Sequence, residues 1–314
     1  SKRRRLEKEG WDPTTVEMVL NSPQEERKQQ AYKCVQDRYI KWALARGVDP
    51  LKPNPPQLLN WLAAGVVIND WTPGTVENYR AAIVYMYDDK SLFQGVDYQS
   101  FFKAIRARHV KEIKELDVDI QPALDYLRNQ GPNKDLNMST LTRKLCWLLG
   151  ICGFMRPSDI EYIHLAHEKF QLTESQCVLP VARPKETRNG QPIRKCITIK
   201  SHDDPLLCPV QTITEYLHRI SDHDIMVPHP KNNKELYRPL VRDIRFPNKS
   251  VKSDTISNHI ASITELLSLP ETAKVRAIGP TEAIKKGARV DDVVVHGNWS
   301  SSIIFDRFYR LTSA

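Results

Sequence analysis

The stretch Leu148-Leu-Gly-Ile-Cys-Gly153-Phe-Met-Arg156-Pro-Ser158-Asp159-Ile-Glu-Tyr-Ile-His-Leu165 decides how this chain folds. Upstream of it, Leu141, Leu145, Leu148 and Leu149 fall on one stripe at helical spacing, which predicts a helix over 139–152 with an apolar face. Gly153 stands where a helix C-cap belongs, and Pro157 is placed to open the next helix. Arg156 therefore sits in the turn between two helices, with Asp159 at the distance from which an acid braces the arginine or the helix start. A lone arginine in such a turn is ordinarily a solvated surface residue, so its meaning depends on what the rest of the chain supplies.

Downstream, the strand signals are confined to one region. Cys177-Val-Leu-Pro-Val-Ala182 and the run 193–199 flank the turn Lys185-Glu-Thr-Arg-Asn189-Gly190, and Asn-Gly is a strong hairpin cue. Helices are expected at 123–129, 210–220 and 253–267, and three more near 280–286, 291–295 and 301–311. Upstream, Tyr32, Val35, Tyr39, Trp42 and Ala43 recur at helical spacing over 25–46, a run closed by Gly47 and the proline loop of 50–56. Shorter helices follow over 57–64, 75–87 and 98–110. The helix over 75–87 leaves Asn78 and Arg80 outside, and the one over 98–110 carries Lys103, Arg106 and Arg108.

The polar stretch 111–121 lacks a sustained apolar stripe and reads as a linker. The expected organisation is a helical domain over 1–110, the linker, and a second domain over 122–314. The fold class is mainly α with a small antiparallel β-sheet.

The 314 residues carry a formal net charge of +8, which fits a polyanionic partner. The six cysteines are scattered without a Cys-x-x-Cys pair, so neither a zinc site nor a disulfide framework is indicated. No apolar run approaches the roughly 18 residues of a membrane span, so no membrane partner is expected. Ser1-Lys-Arg-Arg-Arg5 is followed by no hydrophobic stretch and does not read as a secretory signal. It reads as a nuclear-import signal, a DNA-contacting arm or a solvated terminus. His164, His167 and Glu168 read as surface residues rather than a metal pair, and no metal or cofactor is expected.

The segment 148–165 resembles the signature of the tyrosine recombinase/integrase family, in which an arginine following a Thr/Cys-Gly pair precedes a serine and an acid. Three other segments carry the same resemblance. The hairpin supplies Lys185, with Lys195 across it as the competing candidate for the family's lysine. The run Ala273-Lys-Val-Arg276-Ala-Ile-Gly-Pro-Thr281-Glu-Ala-Ile-Lys-Lys-Gly287 matches the second arginine and its glycine, but Ala273 stands where the family has histidine. The tail His296-Gly-Asn-Trp299-Ser-Ser-Ser-Ile-Ile-Phe305-Asp-Arg-Phe308-Tyr309 is similar to recombinases of eukaryotic mobile elements, the Crypton and DIRS-type groups.

The resemblance runs from about residue 25 to 311 and implies a helical core-binding domain followed by a tyrosine-recombinase catalytic domain. It implies a site of Arg156, Lys185, Arg276, Trp299 and Tyr309, the last as nucleophile. It further implies double-stranded DNA as partner, a dimer or tetramer on DNA, and a nuclear location in a eukaryote or a cytoplasmic one otherwise. Candidates for DNA contact are Asn78, Arg80, Lys103, Arg106 and Arg108.

The residue types suit the chemistry. Two guanidiniums hold the charge that develops on the non-bridging oxygens of an attacked phosphodiester, and they never lose their own. A phenol with a pKa near 10 needs such cations to attack, and a lysine can protonate the leaving 5′-oxygen. The bond energy is kept in a 3′-phosphotyrosine, so resealing needs neither metal nor ATP. The departure at Ala273 favours a second reading, a domesticated sequence-specific DNA-binding protein that kept the fold and lost turnover. A type IB topoisomerase shares the chemistry but fits the small helical N-terminal domain less well.

Overall fold

The computed structural model describes residues 2–21, 23–109, 116–188, 191–193, 195–229, 232–269 and 273–311. The chain divides into two compact units, Ser1–Ile113 and Lys114–Ala314. The linker expected at 111–121 lies partly outside the described residues; of its described part, 116–120 belong to no helix or strand and residue 121 opens the next helix.

The first unit is built of helices α1 (Lys2–Lys8), α2 (Pro13–Leu20), α3 (Pro23–Leu44), α4 (Pro55–Asn69), α5 (Pro73–Val84) and α6 (Val96–Arg108). The starts of α4 and α5 are written locally. The Asn54 side chain accepts from the Gln57 N–H, the Thr72 hydroxyl accepts from the Thr75 N–H, and a proline follows each cap. The core is aromatic: Tyr39, Trp61, Tyr87, Phe93, Tyr98 and Phe102 pack with Leu58, Leu62, Val76 and Ile83. The basic start of the chain is helical, and Arg3 pairs with Glu17 at 2.6 Å.

Arg80, expected on the outside of α5, is instead half-buried. Its Nη2 donates to the Phe93 carbonyl at 3.0 Å, and its guanidinium lies 5.5 and 5.2 Å from the ring centroids of Tyr98 and Phe102. A carbonyl and two ring faces hold the cation better than the helical pattern alone suggests.

The second unit runs α7 (Gln121–Asn129), α8 (Met138–Cys152), α9 (Pro157–Glu161), β1 (Gln171–Leu172), β2 (Gln176–Val181), β3 (Thr187–Arg188), β4 (Gln191–Pro192), β5 (Lys195–Lys200), α10 (Pro209–Arg219), β6 (Val227–His229), β7 (Asn232–Tyr237), α11 (Ser253–Thr264), α12 (Val275–Lys285), α13 (Val290–His296) and α14 (Ser302–Phe308). Helix α8 is the hub, packed by α10, α11 and α12, with Leu141, Leu145, Trp147 and Leu149 fully buried. Its C-cap is Gly153.

The main sheet is antiparallel in the order β1-β2-β5, with Val181 opposite Lys195, Leu179 opposite Ile197 and Cys177 opposite Ile199. The two-residue period puts Lys195 on the same buried face as Ile197 and Ile199.

The sequence pattern confines strands to one region, whereas the structure has a further pair beyond it. The β6–β7 ladder pairs Val227 with Tyr237 and Pro228 with Leu236. Its strands hold Pro228 and the run Asn232-Asn-Lys-Glu235, so no apolar alternation announces them; ladder pairing sets them. The exit of α9 is stitched between the two sheets. The N–H of His164 reaches the Pro180 carbonyl at 2.9 Å, and that of Leu165 reaches the Arg238 carbonyl at 2.8 Å.

The helix expected to open at Pro280 begins five residues earlier and carries Pro280 inside it. Close packing holds it there. A Cβ on Gly279 would lie 2.2 Å from the Ile151 carbonyl oxygen, so only glycine lets α12 approach the end of α8 this closely. Replacement Gly279→Ala is therefore expected to cost about 1–3 kcal/mol of stability, read by chemical denaturation. Gly74→Ala, where an added Cβ meets nothing within 4 Å, is expected to be neutral or stabilising.

Candidate active site

The turn between α8 and α9 is shaped by its own residues. Phe154 adopts a left-handed φ of 49°, an uncommon conformation for a bulky side chain. Arg156 is the N-cap of α9, and its backbone N–H donates to Asp159 Oδ2 at 3.0 Å. The carbonyl of Phe154 accepts from Nη1 of Arg276, and the carbonyl of Gly297 accepts from Nη2 at 2.8 Å. Carbonyls from two other parts of the chain thus pin one buried guanidinium. These bonds explain the turn's shape: it presents a carbonyl inward and a second arginine beside it.

Two carboxylates bind the cations together. Asp159 Oδ2 lies 3.0 Å from Lys195 Nζ, 3.5 Å from Arg276 Nη1 and 3.8 Å from Arg156 Nη1. Glu186 Oε1 lies 2.5 Å from Arg156 Nη1, 3.2 Å from Lys195 Nζ and 3.6 Å from Arg276 Nη2. Burial pushes the Glu186 carboxyl up, but Lys195 and Arg156 outweigh it and hold the group at about 2. Burial and the like charge of Arg156 push the Arg276 guanidinium down, against the pull of Asp159 and Glu186.

Tyr309 caps the C-terminus of α14, its N–H bonded to the Phe305 carbonyl at 2.8 Å. The Ser301 hydroxyl caps the other end of that helix, and Phe305 anchors it in the core. Beyond Tyr309, the Leu311 N–H donates to Thr281 Oγ1 at 3.2 Å, and the Leu311 carbonyl accepts from the Leu116 N–H at 2.7 Å. The tail is thereby fastened to the same unit as the arginines. The Tyr309 and Trp299 ring centroids are 5.0 Å apart, and the Arg276 guanidinium lies 4.8 Å from the Trp299 ring and 5.4 Å from that of Tyr309.

Burial pushes the Tyr309 phenol up, yet its hydrogen bond to Arg156 and the charges of Arg156 and Arg276 outweigh this, leaving it below the ordinary tyrosine value. The Trp299 indole Nε1 is buried without a hydrogen-bond partner. The ring that carries this open donor packs against the Arg276 guanidinium and the Tyr309 phenol, so the donor belongs to the same cluster.

The structure thus brings Arg156, Arg276, Trp299 and Tyr309 together. Lys185 is exposed on the segment joining β2 to β3, whereas Lys195 is wholly buried among the carboxylates. Ala273 is half-buried against the core. His296 is spent on the Cys152 carbonyl at 2.9 Å, and His259 Nε2, on α11, is buried without a hydrogen-bond partner among the described residues. His164 and His167 each accept a backbone N–H through Nδ1.

Sequence reasoning missed Glu186. Its only signal was a carboxylate beside Lys185 in the hairpin, a place where a solvated charge is ordinary. In the first unit, Asn78, Lys103, Arg106 and Arg108 are exposed, and Arg106 pairs with Glu77.

No protein-family model matches this chain, and no curated protein sequence matches it. Solved structures do. The chain is similar to a lambda integrase dimer bound to a COC′ core site, with 12% identity over 99% of this chain and 94% of that one, at a TM-score of 0.53. It is similar to the XerH site-specific recombinase bound to difH substrate in a pre-cleavage complex, with 13% identity over 82% of this chain and 67% of that one, at a TM-score of 0.52. A third is the Tn1549 transposon integrase in complex with transposon right end DNA, with 10% identity over 88% and 94% of the two chains, again at 0.52. At these identities the likeness is one of fold. The chain has the fold of the tyrosine recombinases and integrases: mainly helical, with small antiparallel sheets.

The lowered Tyr309 phenol has a measurable consequence. In ultraviolet pH titration, the tyrosinate signal lost in Tyr309→Phe is expected to rise below the midpoint of free tyrosine. Arg156→Ala is expected to move it upward, because burial would then act with one guanidinium fewer to oppose it.

Proposed function

We propose that this chain is a site-specific recombinase that cuts and rejoins duplex DNA through a phosphotyrosine intermediate. The observation that carries the reading is the convergence of Arg156 and Arg276 on the phenol of Tyr309, beside the open indole donor of Trp299. The guanidiniums would hold the non-bridging oxygens of the scissile phosphate, and Trp299 would give a further hydrogen bond. Tyr309 would attack phosphorus and the bond to the 5′-oxygen would break, leaving a 3′-phosphotyrosine and a 5′-hydroxyl. Attack by a 5′-hydroxyl on that ester rejoins the strand and regenerates the phenol. The fastening of Leu311 to Thr281 and Leu116 supports delivery of the tyrosine by the chain that holds the arginines.

We assign Lys185 as the acid that protonates the leaving oxygen. It is exposed and immediately precedes Glu186 in the chain, while Lys195 is enclosed by two carboxylates and acts as a brace. Assembly as a dimer or tetramer on DNA, a mobile-element origin of the Crypton or DIRS type, and action in the nucleus of a eukaryotic host belong to the same reading. Ala273 favours a second one, a DNA-binding protein that has lost turnover, since alanine cannot serve as the proton acceptor that a histidine would be at that position.

Incubation with a library of nicked duplexes in EDTA is expected to trap an SDS-resistant adduct that Tyr309→Phe abolishes. Selective binding with no adduct from the wild type would support the second reading instead. A 5′-bridging phosphorothiolate needs no proton on its leaving sulfur, so it is expected to rescue Lys185→Ala but not Lys195→Ala. Rescue in the reverse order would exchange the two roles. For the first unit, joint removal of Lys103 and Arg108 is expected to reduce the slope of log binding constant against log salt by about 2.

A further inference from the structure

We propose that Glu186 is an internal stand-in for the bound phosphate: its carboxylate closes the cationic clamp while no DNA is present, and it must leave before a phosphodiester can enter. That the entering anion is DNA rests on the function proposed above. That the clamp is an anion site closed by its own chain rests on geometry alone.

A single oxygen, Oε1, is reached by Arg156 at 2.5 Å, Lys195 at 3.2 Å and Arg276 at 3.6 Å. These cations come from three elements: the start of α9, strand β5 and helix α12. A carboxylate and a phosphodiester each present one negative charge shared over two oxygens, the form that a guanidinium binds in bidentate fashion. Exchange of one for the other leaves the charge of the cluster unchanged. The second oxygen, Oε2, is buried with no hydrogen-bond partner, and so is Trp299 Nε1. Glu186 therefore fills the clamp without completing it, as expected of an occupant that can be replaced.

The carboxyl is kept ionised at neutral pH by Lys195 and Arg156, although burial opposes them, so the plug is charged whenever it competes. Asp159 shares the same cations but is part of α9 itself, tied to the Arg156 N–H. Glu186 instead belongs to the connection between β2 and β3. That connection is held at one end by the Ala182 N–H on the Tyr162 carbonyl at 2.8 Å. At the other end the Glu186 carbonyl accepts a long bond, 3.4 Å, from the Ile193 N–H, and the β3–β4 ladder begins at the next residue, Thr187. Lys185 precedes Glu186, so withdrawal of the plug would also move the proposed acid. Closure of the clamp and placement of the acid would then be one event.

The test is binding of inorganic phosphate to the full chain by calorimetry, with covalent trapping on nicked duplexes in parallel. Glu186→Gln keeps the side-chain size and removes the competing charge. It is expected to bind phosphate at least about tenfold more tightly than wild type, and adding Arg156→Ala is expected to abolish the gain. Equal or weaker binding by Glu186→Gln overturns the proposal. Hydrogen exchange of the wild type supplies a reading that needs no variant: saturating phosphate is expected to speed exchange over 182–188, and unchanged exchange there overturns the proposal too. Tighter phosphate binding with no adduct from any protein keeps the plug and removes the strand-transfer reading. A wild-type adduct with no gain on phosphate removes the plug alone.

Discussion

One oxygen of Asp159 organises the second unit. The side chain is 1% exposed, and its Oδ2 lies within 3.0–3.8 Å of Lys195, Arg276 and Arg156. Three cations from separate elements would repel one another in a poorly solvated site, and a buried carboxylate offsets that repulsion. The same oxygen also takes the Arg156 N–H and so caps α9. Helix start, strand β5 and helix α12 are therefore tied through one atom, and the arginines are held before any substrate arrives. Preorganised charge of this kind costs no rearrangement at the moment of reaction.

The tail depends on that frame. The Arg276 guanidinium is held by the Phe154 and Gly297 carbonyls, and the latter belongs to the turn just before Trp299. Its position therefore sets the start of the last segment as well as the charge facing it. Burial alone would make the Tyr309 phenol a poorer acid, and only the two guanidiniums reverse the sign. Glu186 complicates this field, because it draws on the same two guanidiniums. Three cations shared between two carboxylates and a phenol form a balance in which each anion's position affects the others.

Much of the frame was legible in the sequence because the code there is local. The leucine stripe of α8, its stop at Gly153 and the opening of α9 at Pro157 follow from helical period and capping. The hairpin followed from Asn189-Gly190, which lie outside the described residues, and from the apolar strands on either side. The β6–β7 ladder was not legible, since its strands carry no alternation, and Arg80 turned inward because a carbonyl and two rings from later in the chain receive it. Lys195 could have been found as a charge in the apolar register of Ile197 and Ile199.

The sequence by itself determined which residue types were available and in what order: two arginines, a hairpin lysine, an indole and a phenol, each set in a local context that fixes its helix, cap or strand. Local rules reach about one helical turn or one strand pair, so they can settle no more than this. The tertiary structure decided that Arg156 and Arg276 share Asp159, that Lys195 is enclosed while Lys185 stays exposed, and that Glu186 enters the clamp. Those outcomes are set by burial and charge between residues tens to more than a hundred positions apart, where only the packed chain brings opposite charges close enough, in a medium dry enough, for one carboxylate to hold three cations.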